Sequence, residues 1–553
     1  MRHHVLHGLP RGLPTTGKWN MIDDFRHLEE GTILQADVCV IGTGAAGISI
    51  AREFFGTNIQ VLLLEGGGSA PEPETQALYE VECIGIPFPG ALDGRAREFG
   101  GTTTLWGGTT IPLSETDFHQ RPWVPYSGWP ISLADLAPYY RRAEGVLQLA
   151  EDGVYDERIW QRFGIEPPAL DPNKLRLVFS KEKTWPFRPK AHPKNFRSVY
   201  IEALRKASNV RVLLHANVTN LKANAEATAI VQAEIRTLEG KCGSARARMY
   251  IVACGGIETP RLLLLSNGVH ASSLGNQHDL VGRFFQGHPK FEAATIHTDT
   301  PKYLQERFES LIKDRQLFRS RIELSDQLRE QEHLPKCDAD IIFDMPEASG
   351  LQAAMALYRS WLGRYKPEHL LRNIYCVLKG FPEVVHFGVP FFLWDAWPMP
   401  KPRTIRLQCR SEQYPEPESR ITLSDQVDAL GLRKACIDWR LSELERKAAR
   451  RMVETVGAEF ERLNLGKLEL SDWMRPEVED WRRWVKEGNH HSGATRMADD
   501  PRKGVVDRHC RVHGIENLYI SSSSVFPTTG TANPTFTIIA LAIRLADHLK
   551  QKL

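Results

Sequence analysis

Apolar runs and a helical stretch follow one another early in the chain, in the order of a β-α-β unit. Asp37 to Ile41 is a short apolar run typical of a buried parallel strand, and Val61 to Leu64 is a second one. The residues between them, from Ile48 to Phe55, form a helical stretch. This order predicts two parallel strands connected by a helix, and therefore an α/β fold.

The first predicted strand runs directly into a turn that fits the dinucleotide-binding pattern G-x-G-x-x-G. The first glycine of the pattern permits a tight turn, the second lets the backbone approach a pyrophosphate, and the third lets the helix pack closely on the strand. The helix N-terminus offers free N–H groups to the phosphates. A carboxylate after the second strand is placed to hydrogen-bond a ribose hydroxyl. The predicted dinucleotide contacts are Gly42, Gly44, Ala45, Ala46, Gly47, Glu65 and Gly66.

A second glycine-rich segment extends from Arg97 to Thr109 and contains four glycines and four threonines. It has few side chains to pack, so its backbone N–H groups can lie against an extended anionic ligand. Taken alone, a flexible loop is the alternative interpretation. The candidate ligand contacts here are Gly100, Gly101, Thr102, Trp106, Gly107, Gly108 and Thr109.

The length and amino-acid composition limit the classes of protein to which this chain can belong. The chain has 553 residues, enough for two large domains, and its 42% apolar and 25% charged residues are typical of a soluble globular protein. A net charge of +2 gives no argument for nucleic acid as a partner. The nine cysteines form no C-x-x-C pair, so the sequence predicts no metal site and indicates reduced thiols in a cytoplasmic protein.

Neither a secretory signal nor a transmembrane segment is predicted. Met1 to Asn20 is rich in His, Gly, Pro and Arg and lacks an apolar core. Val384 to Trp394 is apolar but too short to span a bilayer, and Pro390 interrupts it. We interpret this aromatic segment, extended to Trp397, as a buried or lid segment. A membrane-surface contact, a dimer contact and a docking site for an electron acceptor are the alternatives.

Capping patterns predict several further helices. Ser132 and Asp135 form a capping-box pattern at the start of a helix within residues 130–149, and Ser442 with Glu445 opens a long one that reaches about Leu463. Thr259 is a candidate cap for a helix that has Pro260 at its first position.

Strands are predicted at 210–214, 249–253, 403–410 and 420–424. Residues 300–340 are charged, show no clear pattern and are expected to form a loop. Glu412 and Gln413 fall in a polar stretch, where a solvated loop is the first interpretation and hydrogen bonds to a polyol the second.

Three segments resemble the glucose-methanol-choline (GMC) oxidoreductases. Gly100 to Trp106 is similar to the second flavin-binding segment of that family, Gly255 to Leu262 to its second signature, and Val281 to Pro289 to a segment near the flavin. The resemblance covers nearly the whole chain and is closest to the bacterial branch related to pyranose 2-oxidase and FAD-dependent sugar dehydrogenases. It implies FAD as the cofactor.

The resemblance also implies a domain organisation. A Rossmann-like α/β FAD-binding domain is expected from residues 32–115, 200–290 and 490–553. A substrate-binding domain on a mostly antiparallel sheet is expected from residues 116–199 and 291–489. Further FAD contacts implied by the resemblance are Val218, Ala253, Ser522, Pro534 and Thr535.

The catalytic residues are implied by the family's C-terminal motif. The family has a histidine in an H-x-x-G pattern and a second His or Asn 43 residues later, which match His490 and Asn533. Alcohol oxidation needs a base for the hydroxyl proton and a second polar group to hold the oxygen, and histidine is the natural base near neutral pH. His491 is expected to pack as a neighbour. His288 is expected to be structural, with a contact to the cofactor region as the alternative.

Two positions depart from relatives in the family. Some members have a histidine that bonds covalently to the flavin, and Leu105 occupies that position here, which implies non-covalent FAD. Many bacterial relatives have a histidine where this chain has Thr531, which weakens substrate assignment by analogy. Residues 190–200 contain no cysteine, so an iron–sulfur relay like that of some sugar dehydrogenases is not expected.

The implied function is oxidation of an alcohol of a sugar, glycoside or related polyol by hydride transfer to FAD. The electrons would pass to O2, a quinone or another acceptor. The alternatives are lyase chemistry on the same fold, oxidation of a non-sugar alcohol such as a sterol, a nicotinamide-dependent dehydrogenase, and a non-catalytic binding role.

Overall fold

A computed structural model describes residues 21–183, 194–269, 273–344, 349–361, 369–386, 401–475 and 477–553. Residues 1–20 and positions 387–397 of the aromatic segment lie outside these ranges, so the predictions for them stay open. Within the ranges, no helix has both the length and the apolar character needed to cross a membrane.

The described strands and helices have the following bounds along the chain. The strands are β1 (Ile22–Asp24), β2 (Thr32–Ile41), β3 (Val61–Leu64), β4 (Val81–Cys83), β5 (Leu175–Lys183), β6 (Val210–Leu214), β7 (Asn217–Ala223), β8 (Ile230–Arg236), β9 (Cys242–Val252), β10 (Lys290–His297), β11 (Leu311–Lys313), β12 (Gln316–Leu324), β13 (Cys337–Asp344), β14 (Thr404–Ser411), β15 (Arg420–Val427), β16 (Arg433–Asp438), β17 (Lys467–Leu470) and β18 (Leu518–Ile520). The helices are α1 (Ala45–Glu53), α2 (Pro73–Gln76), α3 (Gly90–Asp93), α4 (Glu115–Phe118), α5 (Leu133–Val146), α6 (Arg158–Phe163), α7 (Phe196–Lys206), α8 (Gly255–Leu265), α9 (Pro301–Phe308), α10 (Asp326–Glu332), α11 (Gly350–Trp361), α12 (Leu370–Lys379), α13 (Glu443–Arg462) and α14 (Pro534–Lys552).

The first sheet has the order β1-β6-β3-β2-β9-β8-β7, with β18 also paired to β9. Its centre is parallel: Val40 on β2 pairs with Leu63 on one side and Ile251 on the other. All three side chains are buried, which explains why these strands read as continuous apolar runs. The carboxyl ends of the parallel strands meet at one edge, where open α/β sheets bind their ligands.

The second sheet is antiparallel, with the order β11-β12-β13-β14-β10-β17 and β5 paired to β12. Together the two sheets confirm the predicted α/β fold with a mostly antiparallel second sheet. The expectation that residues 300–340 form a loop is wrong, because they contain three of these strands. Buried charges on them, such as Arg321 and Glu323, hide the apolar alternation that marks a strand.

Two of the three capping predictions agree with the structure. Both capping boxes are present, at Ser132 and at Ser442. The third is wrong: α8 begins at Gly255, and Pro260 lies inside it. A Cβ on Gly256 would lie 2.3 Å from the His491 carbonyl oxygen, so only glycine lets this helix end press against the loop that carries His491.

Helix α5 packs against α14 and the core of the first sheet. Tyr140 and Thr537 share a hydrogen bond of 2.8 Å between these helices. The predicted division places α5 with residues 116–199 of the substrate domain, and that division stays a prediction.

Candidate active site

The dinucleotide turn follows β2 without an intervening residue. Gly42 has φ +107°, and a Cβ there would lie 2.6 Å from the Ala253 carbonyl oxygen. Its N–H donates to Leu64 at 2.7 Å, which ties the turn to β3. Conformation and close approach therefore both require glycine at this position.

The other two glycines of the pattern, Gly47 and Gly44, differ in how closely other atoms approach them. A Cβ on Gly47 would lie 2.0 Å from the Gly42 carbonyl oxygen, so α1 sits directly on the turn. Gly44, which precedes the first residue of α1, has no protein atom within 4 Å of its Cβ position. Its backbone faces open space at a helix N-terminus, which is the setting that a pyrophosphate occupies in dinucleotide folds.

The turn opens into a cavity of about 220 Å³ that is open to solvent. Fourteen of the predicted cofactor contacts line it: Gly42, Gly44, Ala45, Ala46, Glu65, Gly66, Gly101, Thr102, Trp106, Val218, Ala253, Ser522, Pro534 and Thr535. Five do not line it: Gly47, Gly100, Gly107, Gly108 and Thr109. A Cβ on Gly100 would instead meet Arg197, and a Cβ on Gly108 would meet Lys194. These glycines therefore let the segment pack closely against those two residues.

Glu65 lines the cavity and also holds the turn. Its Oε2 accepts hydrogen bonds from the Thr43 hydroxyl at 2.5 Å and the Thr43 N–H at 3.1 Å, and its Oε1 accepts from the Gly67 N–H at 3.0 Å. Burial raises the pKa of this carboxyl, and the hydrogen bonds from Thr43 oppose that shift. The ribose contact predicted for Glu65 stays a prediction.

Charged residues that the sequence argument missed complete the cavity wall. Arg95 and Arg261 both donate to Glu258, at 2.8 and 3.0 Å. Arg97 donates to Asn217 at 2.7 Å and lies beside Gly66. Arg97 opens the second glycine-rich segment, and Glu258 and Arg261 belong to the Gly255–Leu262 signature. Their positions within these two motifs are the sequence feature from which a place in the cavity wall could have been predicted.

The candidate catalytic pair lies beyond this cavity. Asn533 Nδ2 is 3.2 Å from His490 Nε2, and both side chains are partly exposed. Asn533 stands at the N-cap of α14, but its side chain makes no capping hydrogen bond. Instead its Oδ1 accepts a hydrogen bond of 3.0 Å from Arg321 Nη2.

His288 contacts the other nitrogen of the same imidazole. The His288 and His490 Nδ1 atoms are 2.6 Å apart, and the rings are nearly perpendicular at 87°. His288 is buried at 1% exposure. Burial, assisted by the cationic Lys290 and Arg410, lowers the pKa of both histidines well below the usual 6.5. Both rings are therefore neutral at pH 7.

His491 is directed away from this pair. It is buried, lines the dinucleotide cavity and packs against Phe88 with ring centroids 5.4 Å apart. Burial lowers the pKa of His491 to about 3. These contacts agree with its expected role as a packing neighbour.

A buried cluster of two arginines and two aspartates surrounds the pair on its other side. Arg410 donates to Asp338 at 2.6 Å across the β13–β14 ladder. Arg321 lies 3.6 Å from Asp338 and 3.4 Å from Asp340. Residues on three strands of the second sheet therefore form this wall, and the sequence argument identified none of them.

Glu412 and Gln413 were predicted to lie in a solvated loop or to hydrogen-bond a polyol, and both predictions are wrong. Both side chains are fully buried and hydrogen-bonded within the protein. Glu412 accepts two hydrogen bonds of 2.6 Å from Arg121. Gln413 accepts from the Gly287 N–H and from Trp439, each at 2.8 Å. These contacts fix the segment that precedes His288.

The comparisons with known proteins agree along the whole chain. Residues 415–542 match the family model described as GMC oxidoreductase. The 2-methyl-1,2-propanediol dehydrogenase of Mycolicibacterium austroafricanum is 24% identical over 94% of this chain and 96% of its own length. The fructose dehydrogenase large subunit of Gluconobacter japonicus is 23% identical over 93% and 98%. A crystal structure of formate oxidase superposes with a TM-score of 0.56 at 17% identity, over 95% of this chain and 99% of that one.

The C-terminal part of the chain therefore matches the GMC oxidoreductase family, and relatives named as diol and sugar dehydrogenases align with nearly its whole length. These comparisons support an FAD-dependent alcohol or sugar oxidoreductase. The dinucleotide cavity fits this cofactor, since the open position at Gly44 and the N-termini of α1 and α14 leave room and N–H donors for an anionic dinucleotide. Among the described residues, no group of His, Cys, Asp or Glu side chains could hold a metal ion.

Proposed function

We propose that this enzyme oxidises an alcohol of a sugar, glycoside or related polyol, with hydride transfer to non-covalently bound FAD. The observation that carries the proposal is the 3.2 Å contact between His490 Nε2 and Asn533 Nδ2. At this separation, a base and a hydrogen-bond donor can both reach the oxygen of one hydroxyl group. A diol dehydrogenase and a fructose dehydrogenase among the relatives support the substrate class.

His490 takes the hydroxyl proton in this proposal. Its lowered pKa keeps the ring neutral, so it has a lone pair available. Asn533 donates to the same oxygen and stabilises the negative charge that develops as the O–H bond breaks. When bound, FAD supplies the acceptor for the hydride that leaves the adjacent carbon.

The wall around the pair favours a polyol over a sterol. Asp338 Oδ1 and Asp340 Oδ1 are buried and accept no hydrogen bond from the described residues. Buried polar atoms of this kind cost free energy unless a partner reaches them, and the hydroxyl groups of a polyol are suitable donors. An apolar ring system would leave these two Oδ1 atoms without a donor.

Leu105 supports non-covalent FAD. Its side chain has no nucleophilic atom, it is 46% exposed, and it does not line the cavity. Mild denaturation of the yellow enzyme should release all of the flavin into the supernatant. Flavin that stays with the precipitated protein would contradict this part of the proposal.

The experiment is an anaerobic titration of the FAD-loaded enzyme with sugars, glycosides, amino sugars, short diols and sterols. We expect a sugar or polyol to bleach the flavin absorbance, and His490→Ala to keep its FAD and lose the bleaching. Re-admitting air then distinguishes O2 from a quinone or another acceptor. Unchanged bleaching of His490→Ala would overturn the assignment of the base, and a response to sterols alone would overturn the substrate class.

A further inference from the structure

Four side chains form one continuous line through the proposed reaction centre. Arg321 Nη2 lies 3.0 Å from Asn533 Oδ1, and Asn533 Nδ2 lies 3.2 Å from His490 Nε2. His490 Nδ1 then lies 2.6 Å from His288 Nδ1. Each of these contacts is between a single pair of atoms. The donor and the acceptor of each hydrogen bond can therefore be assigned in turn, starting from one end of the line.

The assignment begins at Arg321, because a guanidinium only donates hydrogen bonds. The Asn533 atom that faces it must be the carbonyl oxygen, and the NH2 group of the same amide must face His490. An amide NH2 also only donates, so His490 Nε2 is an acceptor and carries no proton. A neutral imidazole has one N–H, which must be on Nδ1 and must point at His288.

We propose that Arg321 is a positioning residue that, by orienting the Asn533 amide, selects the His490 tautomer whose Nε2 lone pair faces the substrate. This inference rests on the proposed function. A bound hydroxyl group can then donate its proton to Nε2 while its oxygen accepts a hydrogen bond from Asn533. In the opposite tautomer, Nε2 would carry a proton and His490 could not act as a base.

The proton balance along the line is simple. The substrate O–H bond breaks and the Nε2–H bond forms, so His490 gains one proton and one positive charge. Its Nδ1–H stays hydrogen-bonded to His288 Nδ1, which spreads the charge over two rings. His288 is thus the second positioning residue, because it accepts the Nδ1–H that the selected tautomer requires.

The surroundings of Arg321 suit this role. The side chain is 4% exposed and extends from β12, and ion pairs with Asp338 and Asp340 hold its guanidinium. An asparagine at an N-cap normally accepts a hydrogen bond from the helix N–H groups, which stabilises the helix. Asn533 makes no such bond and is turned to Arg321 instead.

The first test is a double-mutant cycle on FAD-loaded enzyme. Arg321→Lys keeps the positive charge beside the aspartates, but its side chain is one bond shorter, so the ammonium cannot both pair with them and donate to Asn533 Oδ1. We expect it to lower the limiting rate of flavin reduction about tenfold or more in the wild-type background, since misorienting a donor at the reacting oxygen has costs of this size. On an Asn533→Ala background we expect less than about a twofold further loss, because no amide remains to be oriented.

Arg410→Lys is the matched control. It alters an arginine of the same buried cluster that bonds to Asp338 and not to Asn533. We expect its effect to be the same in both backgrounds. An equal loss for Arg321→Lys in both backgrounds would show that Arg321 only supports the fold.

The second test observes the tautomer directly. In 15N-histidine-labelled enzyme, NMR should show a protonated Nδ1 and an unprotonated Nε2 for His490, assigned by the signal that is missing in His490→Gln. Arg321→Lys should populate both tautomers. If that variant does not fold, Arg321→Gln, whose amide can donate or accept, replaces it.

The two proposals fail in different ways. A single unchanged tautomer in a folded Arg321 variant would overturn the positioning role and leave the base assignment standing. Undiminished flavin reduction by His490→Ala would overturn the proposed function itself.

Discussion

Asn533 and His490 are 43 residues apart in the chain, and their side chains meet at 3.2 Å between Nδ2 and Nε2. Asn533 occupies the N-cap of α14, yet its side chain turns away from the helix and bonds to His490 and Arg321. The same helix start contributes Pro534 and Thr535 to the dinucleotide cavity. One helix end therefore connects the proposed reaction centre to the cofactor cavity.

Replacing Asn533 by aspartate should lower the limiting rate of flavin reduction about 100-fold, because a carboxylate opposes the charge that develops on the substrate oxygen. FAD content should not change, since the backbone of the helix start is unaltered. Anaerobic stopped-flow measurement of flavin bleaching checks this. Asn267→Asp, at an exposed position outside the cavity lining, is the control. A rate for Asn533→Asp like that of the control would exclude Asn533 from the reaction.

The pH dependence of kcat/KM should lack an acid limb near pH 6.5. Burial lowers the pKa of His490 well below that value, and His288, Lys290, Arg410 and Arg321 all face the ring and disfavour its protonation. The base form therefore persists as the pH falls, and activity is lost only when the pH reaches the lowered pKa. Stopped-flow profiles with a substrate that does not itself titrate check this. An inflection at or above pH 6.5 would contradict the prediction.

Gly44→Ala should weaken FAD binding about tenfold or more with little change in Tm. The new methyl group meets no protein atom within 4 Å, so the fold can accept it. It projects into the space next to the helix N-terminus, where the pyrophosphate must approach closely. Isothermal titration of the apoprotein with FAD checks the affinity. Gly268→Ala, also without a neighbour within 4 Å and exposed, should leave binding unchanged.

His491 should make the enzyme sensitive to acid. Its pKa in the folded state is about 3, below the usual 6.5, so the unfolded chain binds one more proton between these pH values. The free energy of unfolding therefore falls as the pH falls through this window, by about 1.4 kcal/mol per pH unit from this residue. Urea unfolding of His491→Leu across pH 4.5–6.5 should show a shallower slope by about that amount. His119→Leu, at an exposed histidine, is the control.

The sequence by itself determined the features that depend on neighbouring residues. The turn from Gly42 to Gly47, its flanking strands and both capping boxes follow from local backbone conformation and short spacing. The resemblance to the family's C-terminal motif implied His490 and Asn533, which the structure brings into contact. Most of the predicted cofactor contacts also line one cavity, because the motifs that contain them close around the same sheet edge.

Only the tertiary structure decided how that pair is surrounded. Arg321, Asp338 and Arg410 lie on three strands whose pairing brings distant segments together. Their buried charges hide the alternation by which strands are recognised, so the pattern predicted a loop where these strands form the wall of the site. Likewise, only packing shows that Glu412 and Gln413 are buried and that His288 contacts His490. A hydrogen-bond partner far away in the chain leaves no local pattern, because side chains meet in space and not in sequence.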